Sequence, residues 1–225
     1  MWIEPIFKNR QDAGRDLARK LIEFSDRDDV IVLALPRGGV PVAFEVARAL
    51  EAPLDVFIVR KLGLPGQEEL ALGALASGGT VVLNESIIRA VEISQRLIDR
   101  VLAQEQRELE RREKLYRAGL GPLDVRDRLA IVVDDGLATG ATMAAAVSAL
   151  QKMGPKKIVV AVPVSSAQAI EDVSRKTGVR CVAAHTPEPF YGVGMWYEDF
   201  SQTSDEVVQR LLTASREKFA HARSG

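Results

Sequence analysis

Short apolar runs recur along this 225-residue chain, and each is closed by a turn signal and followed by a helical pattern. Several runs have no polar alternation, which is typical of strands that are buried on both faces of a sheet. Helical stretches lie between them at 40–50, 141–153 and 165–176. Repeated strand–helix units predict an α/β fold with a parallel sheet and right-handed crossovers. The predicted strands are 30–34, 54–59, 80–83, 129–133, 157–162 and 180–184.

The composition excludes several classes of protein. Cys181 is the single cysteine and two histidines are present, so a disulfide scaffold, a thiolate zinc site and a three-histidine metal site are all excluded. A net charge of -1 argues against nucleic acid and anionic membranes as partners. No apolar run approaches the roughly 18 residues of a membrane helix, and the first residues do not resemble a signal peptide. We therefore expect a soluble, cytoplasmic protein.

Residues 84–118 depart from the strand–helix alternation. Asn84 or Ser86 can cap a short helix there, and Ser94 can cap a second, longer one. Many charged residues of the long helix form opposite-sign pairs three or four positions apart, which is typical of an exposed helix. We favour a helix that docks by one narrow face over a coiled-coil dimer, since a coiled coil needs about three or four heptads. A homodimer remains the alternative.

The C-terminal part of the chain holds a cluster of aromatic residues. Five of the twelve aromatic side chains lie within eleven positions, and an amphipathic helix is predicted to follow them at 204–219. Such a cluster forms either a small separate core or a wall that stacks against a flat ligand. The five are Phe190, Tyr191, Trp196, Tyr197 and Phe200.

The strongest local signal follows the predicted strand at 129–133. Ligands of parallel α/β sheets bind beyond the carboxyl ends of the strands. Here two adjacent carboxylates come first, and a loop with glycines and threonines then opens a helix, whose unpaired N–H groups attract an anion. The glycines allow close approach of the backbone, and the acidic pair suits sugar hydroxyls or a metal-bearing group next to the phosphate. The segment predicts a site for a ribose 5-phosphate group. It reads Asp134-Asp135-Gly136-Leu137-Ala138-Thr139-Gly140-Ala141-Thr142.

Other phosphate-binding motifs do not fit this segment. A Walker A loop ends in Gly-Lys-Ser/Thr, but Gly140 is followed by Ala141, and no G-x-G-x-x-G occurs. A plain turn at the acidic pair and a plain helix cap at Thr139 or Thr142 are the structural alternatives. The complete string after a buried strand favours the binding site.

The string resembles the phosphoribosyl pyrophosphate (PRPP) motif of type I phosphoribosyltransferases, in which an acidic pair and Ala-Thr-Gly-x-Thr follow hydrophobic residues. The resemblance implies that Asp134 and Asp135 contact the ribose hydroxyls and that the loop amides bind the 5-phosphate. The residues implied for this part of PRPP are Asp134, Asp135, Gly136, Ala138, Thr139, Gly140, Ala141 and Thr142.

Two further stretches resemble parts of the same family. Residues 35–41, Leu-Pro-Arg-Gly-Gly-Val-Pro, resemble its pyrophosphate loop, and the resemblance implies a cis peptide bond between Pro36 and Arg37. Arg37 can direct two donors onto a phosphate. Arg60-Lys61 resembles the basic pair that faces the pyrophosphate, with an ordinary charged strand end as the alternative. The implied pyrophosphate site comprises Pro36, Arg37, Gly38, Gly39, Arg60 and Lys61.

A glycine-rich stretch at 62–79 predicts a long mobile loop or a ribbon, and it falls where the family has its flexible catalytic loop. The resemblance also implies the domain organisation. A parallel-sheet phosphoribosyltransferase core with flanking helices is expected at 26–184, including the helical insertion at 84–118. The termini, 1–25 and 185–225, are expected to form a small hood.

The resemblance implies a reaction in nucleotide metabolism. The 5-phosphoribosyl group of PRPP is transferred to a nitrogenous acceptor, a nucleobase or similar amine, with release of pyrophosphate. Magnesium, held mainly by PRPP, is the implied cofactor. The implied catalytic residues are Arg37, Lys61, Asp134 and Asp135, and the expected acceptor wall consists of Phe190, Tyr191, Trp196 and Tyr197.

Two other functions stay open at this point. One is a regulator that senses PRPP without turnover, and the other is a hydrolase of phosphoribosyl compounds. The basic residues and the complete loop favour catalysis, since a pure sensor can lose the groups that stabilise the leaving pyrophosphate. More narrowly, the chain resembles a bacterial group with Leu-Pro-Arg-Gly-Gly-Val-Pro-Val and Tyr-Glu-Asp-Phe signatures, the latter at 197–200, but that likeness names no acceptor.

Overall fold

The computed structural model describes residues 4–222, apart from the side chains of residues 68, 69 and 220–222. Within that range, no helix is long and apolar enough to cross a membrane. The strands are β1 Val30–Ala34, β2 Leu54–Val56, β3 Val59–Leu64, β4 Gln67–Ala76, β5 Thr80–Leu83, β6 Leu129–Val133, β7 Lys157–Val164 and β8 Arg180–His185. The α-helices are α1 Arg10–Lys20, α2 Gly39–Ala49, α3 Glu85–Ala90, α4 Gln95–Tyr116, α5 Ala141–Lys152, α6 Ala167–Thr177 and α7 Asp205–Ala222.

Five strands form a parallel sheet in the order β2-β1-β6-β7-β8. β1 and β6 lie side by side, with Ala34 paired to Val133, and every residue of both strands is buried. Apolar clusters cover both faces of the sheet, which explains why these runs carry no polar alternation. The predicted α/β fold with a parallel sheet is confirmed.

The strand order reverses at β1 and β6. From β1 the chain runs through α2 to β2 on one side, and from β6 it runs through α5 to β7 on the other. A reversal of this kind opens a crevice for ligands at the carboxyl ends of the two strands. Leu35 N donates to Val133 O at 2.9 Å, so the loops that follow the two strands start side by side.

The other three strands form a separate antiparallel ribbon in the order β3-β4-β5. The predicted single strand at 54–59 is therefore wrong, because the chain passes at Phe57 and Ile58 from β2 of the parallel sheet to β3 of the ribbon. Ile58 N donates to Ser77 Oγ at 3.0 Å, which fixes this bend. The predicted strand at 80–83 is present, but it pairs with β4 and not with the parallel sheet.

The glycine-rich stretch at 62–79 forms most of this ribbon. β3 and β4 join in a tight turn, in which Gly66 adopts a φ of 82°. The register shifts between Leu62 and Gly63, and such an irregularity bends a hairpin. The ribbon packs against α4 and α5, so it lies between the insertion and the helix that follows β6.

The insertion folds into the two predicted helices. Asn84 accepts a hydrogen bond from Ile87 N at 3.3 Å and caps α3, whereas the Ser94 side chain makes no capping hydrogen bond to α4. Leu109 and Tyr116 are buried on one narrow face of α4. Charged residues elsewhere on this helix pair with one another, as an exposed surface requires.

Residues near both ends of the chain pack together at the carboxyl edge of the sheet. Phe7 forms a β-bridge with Tyr197. Both join a small core with Ala13, Val164 and Trp196. Helix α1 also packs on α2, so the N-terminal segment rests against the main core as well. The C-terminal aromatic cluster is therefore in large part a small core.

Candidate functional site

The loops after β1 and β6 meet in the crevice between these strands. Gly38 lies against Asp135, since a Cβ on this glycine would be 2.1 Å from Asp135 Oδ2. Gly39 lies against the end of β6, where a Cβ would be 2.7 Å from Val133 O. A residue with a side chain would push the two loops apart. The structure thus brings the predicted pyrophosphate loop into contact with the acidic pair.

Arg37 belongs to the first of these loops, and its peptide bond to Pro36 is cis, as the resemblance implies. Arg37 Nη1 lies 3.8 Å from Asp205 Oδ1 at the start of α7. Asp205 also accepts a hydrogen bond from the hydroxyl of Tyr116 at the end of α4. Burial and this carboxylate raise the pKa of Tyr116 to about 12, so the phenol remains a donor at neutral pH. Helices α4 and α7 therefore converge on the loop that follows β1 and carries Arg37, the arginine loop.

The acidic pair follows β6 directly. Asp135 N donates to Asp134 Oδ1 at 2.9 Å. Burial raises the pKa of Asp134 well above its usual range, and the adjacent Asp135 charge adds to the rise. Burial also raises the pKa of Asp135, while Arg10 opposes the rise. Perturbed carboxyl groups in a crevice mark a candidate functional site.

Arg10, at the start of α1, joins the acidic pair. Its Nε donates to Asp135 Oδ2 at 2.8 Å, and its Nη1 donates to Ser201 O at 2.7 Å. Its guanidinium carbon lies 4.0 Å from the centre of the Phe200 ring. No local pattern in the sequence indicates Arg10, because its carboxylate partner lies 125 positions further along the chain.

Tyr197 and Val193 also hold the backbone of the acidic segment. The Tyr197 hydroxyl donates to Asp135 O at 2.6 Å. Burial and the Asp135 charge raise the pKa of Tyr197 above its ordinary value, so the hydroxyl stays protonated. Val193 packs so tightly on Gly136 that a Cβ on the glycine would be 2.4 Å from Val193 Cγ1. These contacts fix the path of the chain between β6 and residues 138–142, the predicted anion loop.

The four aromatic residues predicted as an acceptor wall differ in exposure. Trp196 and Tyr197 are 6% and 4% exposed and belong to the small core that contains Phe7. Phe190 is partly buried against that core, and its ring centre lies 6.3 Å from that of Trp196. Tyr191 is 73% exposed. The aromatic surface that a ligand can reach is therefore supplied by Tyr191 and part of Phe190.

The segment 138–142 forms the predicted loop at the N-terminus of α5. Gly140 occupies the N-cap with a φ of 71°, and Thr139 Oγ1 accepts a hydrogen bond from Ala141 N at 3.5 Å. Ala138, Thr139, Ala141 and Thr142 are exposed. The N–H groups of a first helical turn have no partner within the helix, and the helix dipole favours an anion there.

A cavity of about 330 Å³ lies between this loop and the ribbon. Lys61 of β3 lines it together with Thr139 and Thr142. The preceding residue, Arg60, donates from Nε to Glu105 Oε2 of α4 at 2.7 Å. The structure therefore places Lys61 beside the anion loop and pairs Arg60 with the insertion.

The crevice combines two sets of donors with one pair of acceptors. The first N–H groups of α5 lie on one side, Arg37 supplies a guanidinium on the other loop, and the carboxylates of Asp134 and Asp135 lie beside that loop. In the described part of the chain, no group of three or more His, Cys, Asp or Glu side chains is placed to hold a metal ion. The arrangement suits a ligand with phosphate groups at two ends and hydroxyls between them.

Comparison with known families agrees with this arrangement, because residues 5–191 match the phosphoribosyl transferase domain. The matched range holds both crevice loops, the ribbon and the insertion. The chain belongs to the phosphoribosyl transferase domain family.

Two curated relatives of this phosphoribosyl transferase domain come from strains of Mycobacterium tuberculosis, and each is named a "Putative phosphoribosyl transferase". They are 44% identical to it over an alignment of 221 positions, and the match covers 96% of this chain and 48% of each relative. The chain thus spans about half the length of these relatives. The crystal structure of the protein TT1426 from Thermus thermophilus is also similar, with 41% identity, a TM-score of 0.82, and coverage of 92% of this chain and 98% of that one.

Proposed function

We propose that this phosphoribosyl transferase domain binds PRPP in the crevice between β1 and β6 and transfers the 5-phosphoribosyl group to a nitrogenous acceptor, with release of pyrophosphate. One observation carries the proposal. The acidic pair is followed by an exposed helix N-terminus and is touched by the arginine loop at Gly38. The crevice therefore offers an anion site, then acceptors for hydroxyl groups, then a second anion site. PRPP has its 5-phosphate, its ribose hydroxyls and its pyrophosphate in the same order.

The 5-phosphate end of PRPP fits the loop at 138–142. The first N–H groups of α5 and the exposed hydroxyls of Thr139 and Thr142 supply donors to the phosphate oxygens. The ribose hydroxyls donate to the acidic pair. Asp135 Oδ1 accepts no hydrogen bond from another described residue, so it retains its capacity for a sugar hydroxyl.

The pyrophosphate end fits the arginine loop and the basic pair. Arg37 is paired with Asp205 at 3.8 Å, and Arg60 is paired with Glu105 at 2.7 Å. Pyrophosphate carries more negative charge than either carboxylate and offers oxygens for bidentate contacts. We therefore expect it to displace these carboxylates from the two arginines when PRPP binds.

The reaction follows from these positions. A nitrogen lone pair of the acceptor attacks C1 of the ribose, while the bond from C1 to the pyrophosphate oxygen breaks and its electron pair leaves with pyrophosphate. The acceptor then loses its proton to water or to a carboxylate of the acidic pair. Positioned cations lower the energy of the charge that develops on the leaving group. The proposal gives this role to Arg37, Arg60 and Lys61.

Magnesium is the cofactor that the proposal includes. Among the residues whose side chains the structure describes, no group of three or more His, Cys, Asp or Glu is placed to form a protein cage. The proposal assigns the ion mainly to phosphate oxygens, hydroxyls and water, which Mg²⁺ prefers. Asp134 and Asp135 would support such an ion through the bound ribose and its waters. When bound, Mg²⁺ neutralises part of the charge on pyrophosphate.

The acceptor is proposed to enter from the hood side of the crevice. Tyr191 and the exposed part of Phe190 offer surface for stacking a nucleobase or a similar amine. Closure of the β3–β4 hairpin over the bound PRPP would exclude water, which otherwise competes with the acceptor.

Pyrophosphate release tests the proposal. The assay contains the protein, PRPP, Mg²⁺ and a panel of purines, pyrimidines and other amines. Release that depends on one acceptor supports the transferase, release without an acceptor supports a hydrolase, and PRPP binding without release supports a sensor. Absence of PRPP binding overturns all three. Asp135→Asn should weaken PRPP binding, whereas Asp172→Asn, whose carboxylate pairs with Arg175 within α6, should not.

A further inference from the structure

We propose that Arg10 is a positioning residue, through which the hood orients Asp135 toward the ribose. The inference rests on the proposed function and extends it to a segment of the chain outside the two crevice loops. Arg10 lies at the start of α1, whereas Asp135 follows β6, so the hood and the crevice share this contact.

The guanidinium of Arg10 is held from three sides. Nε contacts Asp135 Oδ2 at 2.8 Å, Nη1 contacts Ser201 O at 2.7 Å, and the Phe200 ring lies 4.0 Å away. The Arg10 and Asp135 side chains are 11% and 17% exposed. A planar guanidinium fixed by a carbonyl and a ring leaves little freedom to the carboxylate that it binds.

This contact makes the two oxygens of Asp135 unequal. Oδ2 lies between Arg10 and Gly38, which has no room even for a Cβ on that side. Oδ1 accepts no hydrogen bond from another residue in the described part of the chain. Arg10 thus leaves Oδ1 of the carboxylate to accept a ribose hydroxyl, and it fixes the direction in which this oxygen points.

The hood restrains the backbone at the same residue. The Tyr197 hydroxyl donates to Asp135 O at 2.6 Å, and Phe200 and Ser201 follow Tyr197 closely in the chain. The arginine charge also offsets the repulsion between the carboxylates of Asp134 and Asp135. Loss of Arg10 should therefore affect the ribose end of PRPP more than the pyrophosphate end, which Asp135 reaches only through its contact with Gly38.

The experiment compares three ligands by calorimetry: PRPP, ribose 5-phosphate and inorganic pyrophosphate, each with Mg²⁺. We expect Arg10→Met to weaken the binding of ribose 5-phosphate and PRPP by about tenfold or more, the loss of one charge-assisted hydrogen bond, and to weaken pyrophosphate binding much less. Arg10→Lys should recover part of the affinity. Arg19→Met is the matched control on α1, because Arg19 is exposed and pairs with Asp16 away from the crevice.

Equal weakening of all three ligands, or unchanged binding of ribose 5-phosphate, would overturn the positioning role. If Arg10→Met does not fold, Phe200→Leu removes the ring beside the guanidinium and keeps the ion pair. It should produce a smaller loss with the same ligand selectivity, and a uniform loss would contradict the inference. Failure of the wild-type protein to bind PRPP and ribose 5-phosphate would overturn the proposed function and this inference together, whereas wild-type binding with an unaffected Arg10→Met variant overturns the inference alone.

Discussion

Arg60 on the ribbon and Glu105 on α4 form an ion pair, with 2.7 Å between Nε and Oε2. The insertion helix thereby supplies a carboxylate to one of the cations proposed to face pyrophosphate. Arg37 is paired in a similar way with Asp205 of α7. Both arginines therefore have a counter-charge before a ligand arrives, and the ligand must replace it.

Glu105→Gln should strengthen pyrophosphate binding. The variant removes the negative charge that competes for Arg60, and a partly exposed pair of this kind accounts for about a threefold change in affinity. The gain should be largest at low ionic strength, where screening is weakest. Calorimetry with inorganic pyrophosphate and Mg²⁺ measures it.

Glu110→Gln on the same helix is the control, because Glu110 accepts from Gln106 at an exposed position and does not contact Arg60. Weaker pyrophosphate binding in Glu105→Gln would show that Glu105 orients Arg60 for the ligand and does not compete with it.

Arg37→Lys should reduce turnover. Lysine keeps the charge but lacks the planar fork that contacts two oxygens, so the developing charge on pyrophosphate is stabilised less. We expect kcat/KM for pyrophosphate release to fall by about tenfold to a hundredfold. Arg48→Lys is the control, since Arg48 pairs with Glu45 within α2. Equal activity of both variants would remove Arg37 from the reaction.

Gly140→Ala should destabilise the protein through two effects that can be separated. Gly140 has a φ of 71°, which an L side chain rarely adopts, and a Cβ there would be 2.4 Å from Val173 Cγ2. Gly178 has a φ of 72° with nothing near its Cβ position, so Gly178→Ala carries the backbone cost alone, about 1 kcal/mol. In urea unfolding, Gly140→Ala should lower the free energy of unfolding by about 1 to 3 kcal/mol more than Gly178→Ala does.

Gly140→Ala should lower the free energy of unfolding less in the Val173→Ala background than in the wild type, because the clashing methyl group is gone. Equal destabilisation by Gly140→Ala and Gly178→Ala would show that the contact with Val173 carries no cost.

Asp134→Asn should stabilise the fold at neutral pH while it weakens PRPP binding. Burial raises the pKa of Asp134 in the folded state. At any pH above the ordinary pKa of an aspartate, about 4, ionisation therefore favours the unfolded chain. Asparagine has no such penalty. The urea midpoint of the variant should therefore exceed that of the wild type at about pH 7.5. The difference should shrink as the pH falls through about 4 and vanish well below it, where both states keep the proton. A lower midpoint for the variant at the higher pH would contradict the raised pKa.

Local patterns in the sequence locate the centre of the fold well. β1 Val30–Ala34 and β6 Leu129–Val133 begin and end where predicted, because a buried strand between turn signals leaves a local apolar run. The loop at 138–142 also lies at the start of α5 as expected, since glycine and threonine mark a helix entry locally.

Pairings between distant segments could not be predicted in the same way. Arg10 and Asp135 are 125 positions apart, and Arg60 and Glu105 are 45 apart, so no local period connects them. The composition of the strand at 80–83 resembles that of the buried strands and therefore favours the parallel sheet. Its actual partner, β4, depends on the hairpin that brings them together.

Titration of PRPP into the protein with Mg²⁺, followed by calorimetry, tests the central claim most directly. We expect one saturable site per chain, competed by ribose 5-phosphate and by pyrophosphate, and weakened by Asp135→Asn and Arg37→Lys. Absence of binding, or binding that both variants leave unchanged, would contradict the assignment of the crevice to PRPP.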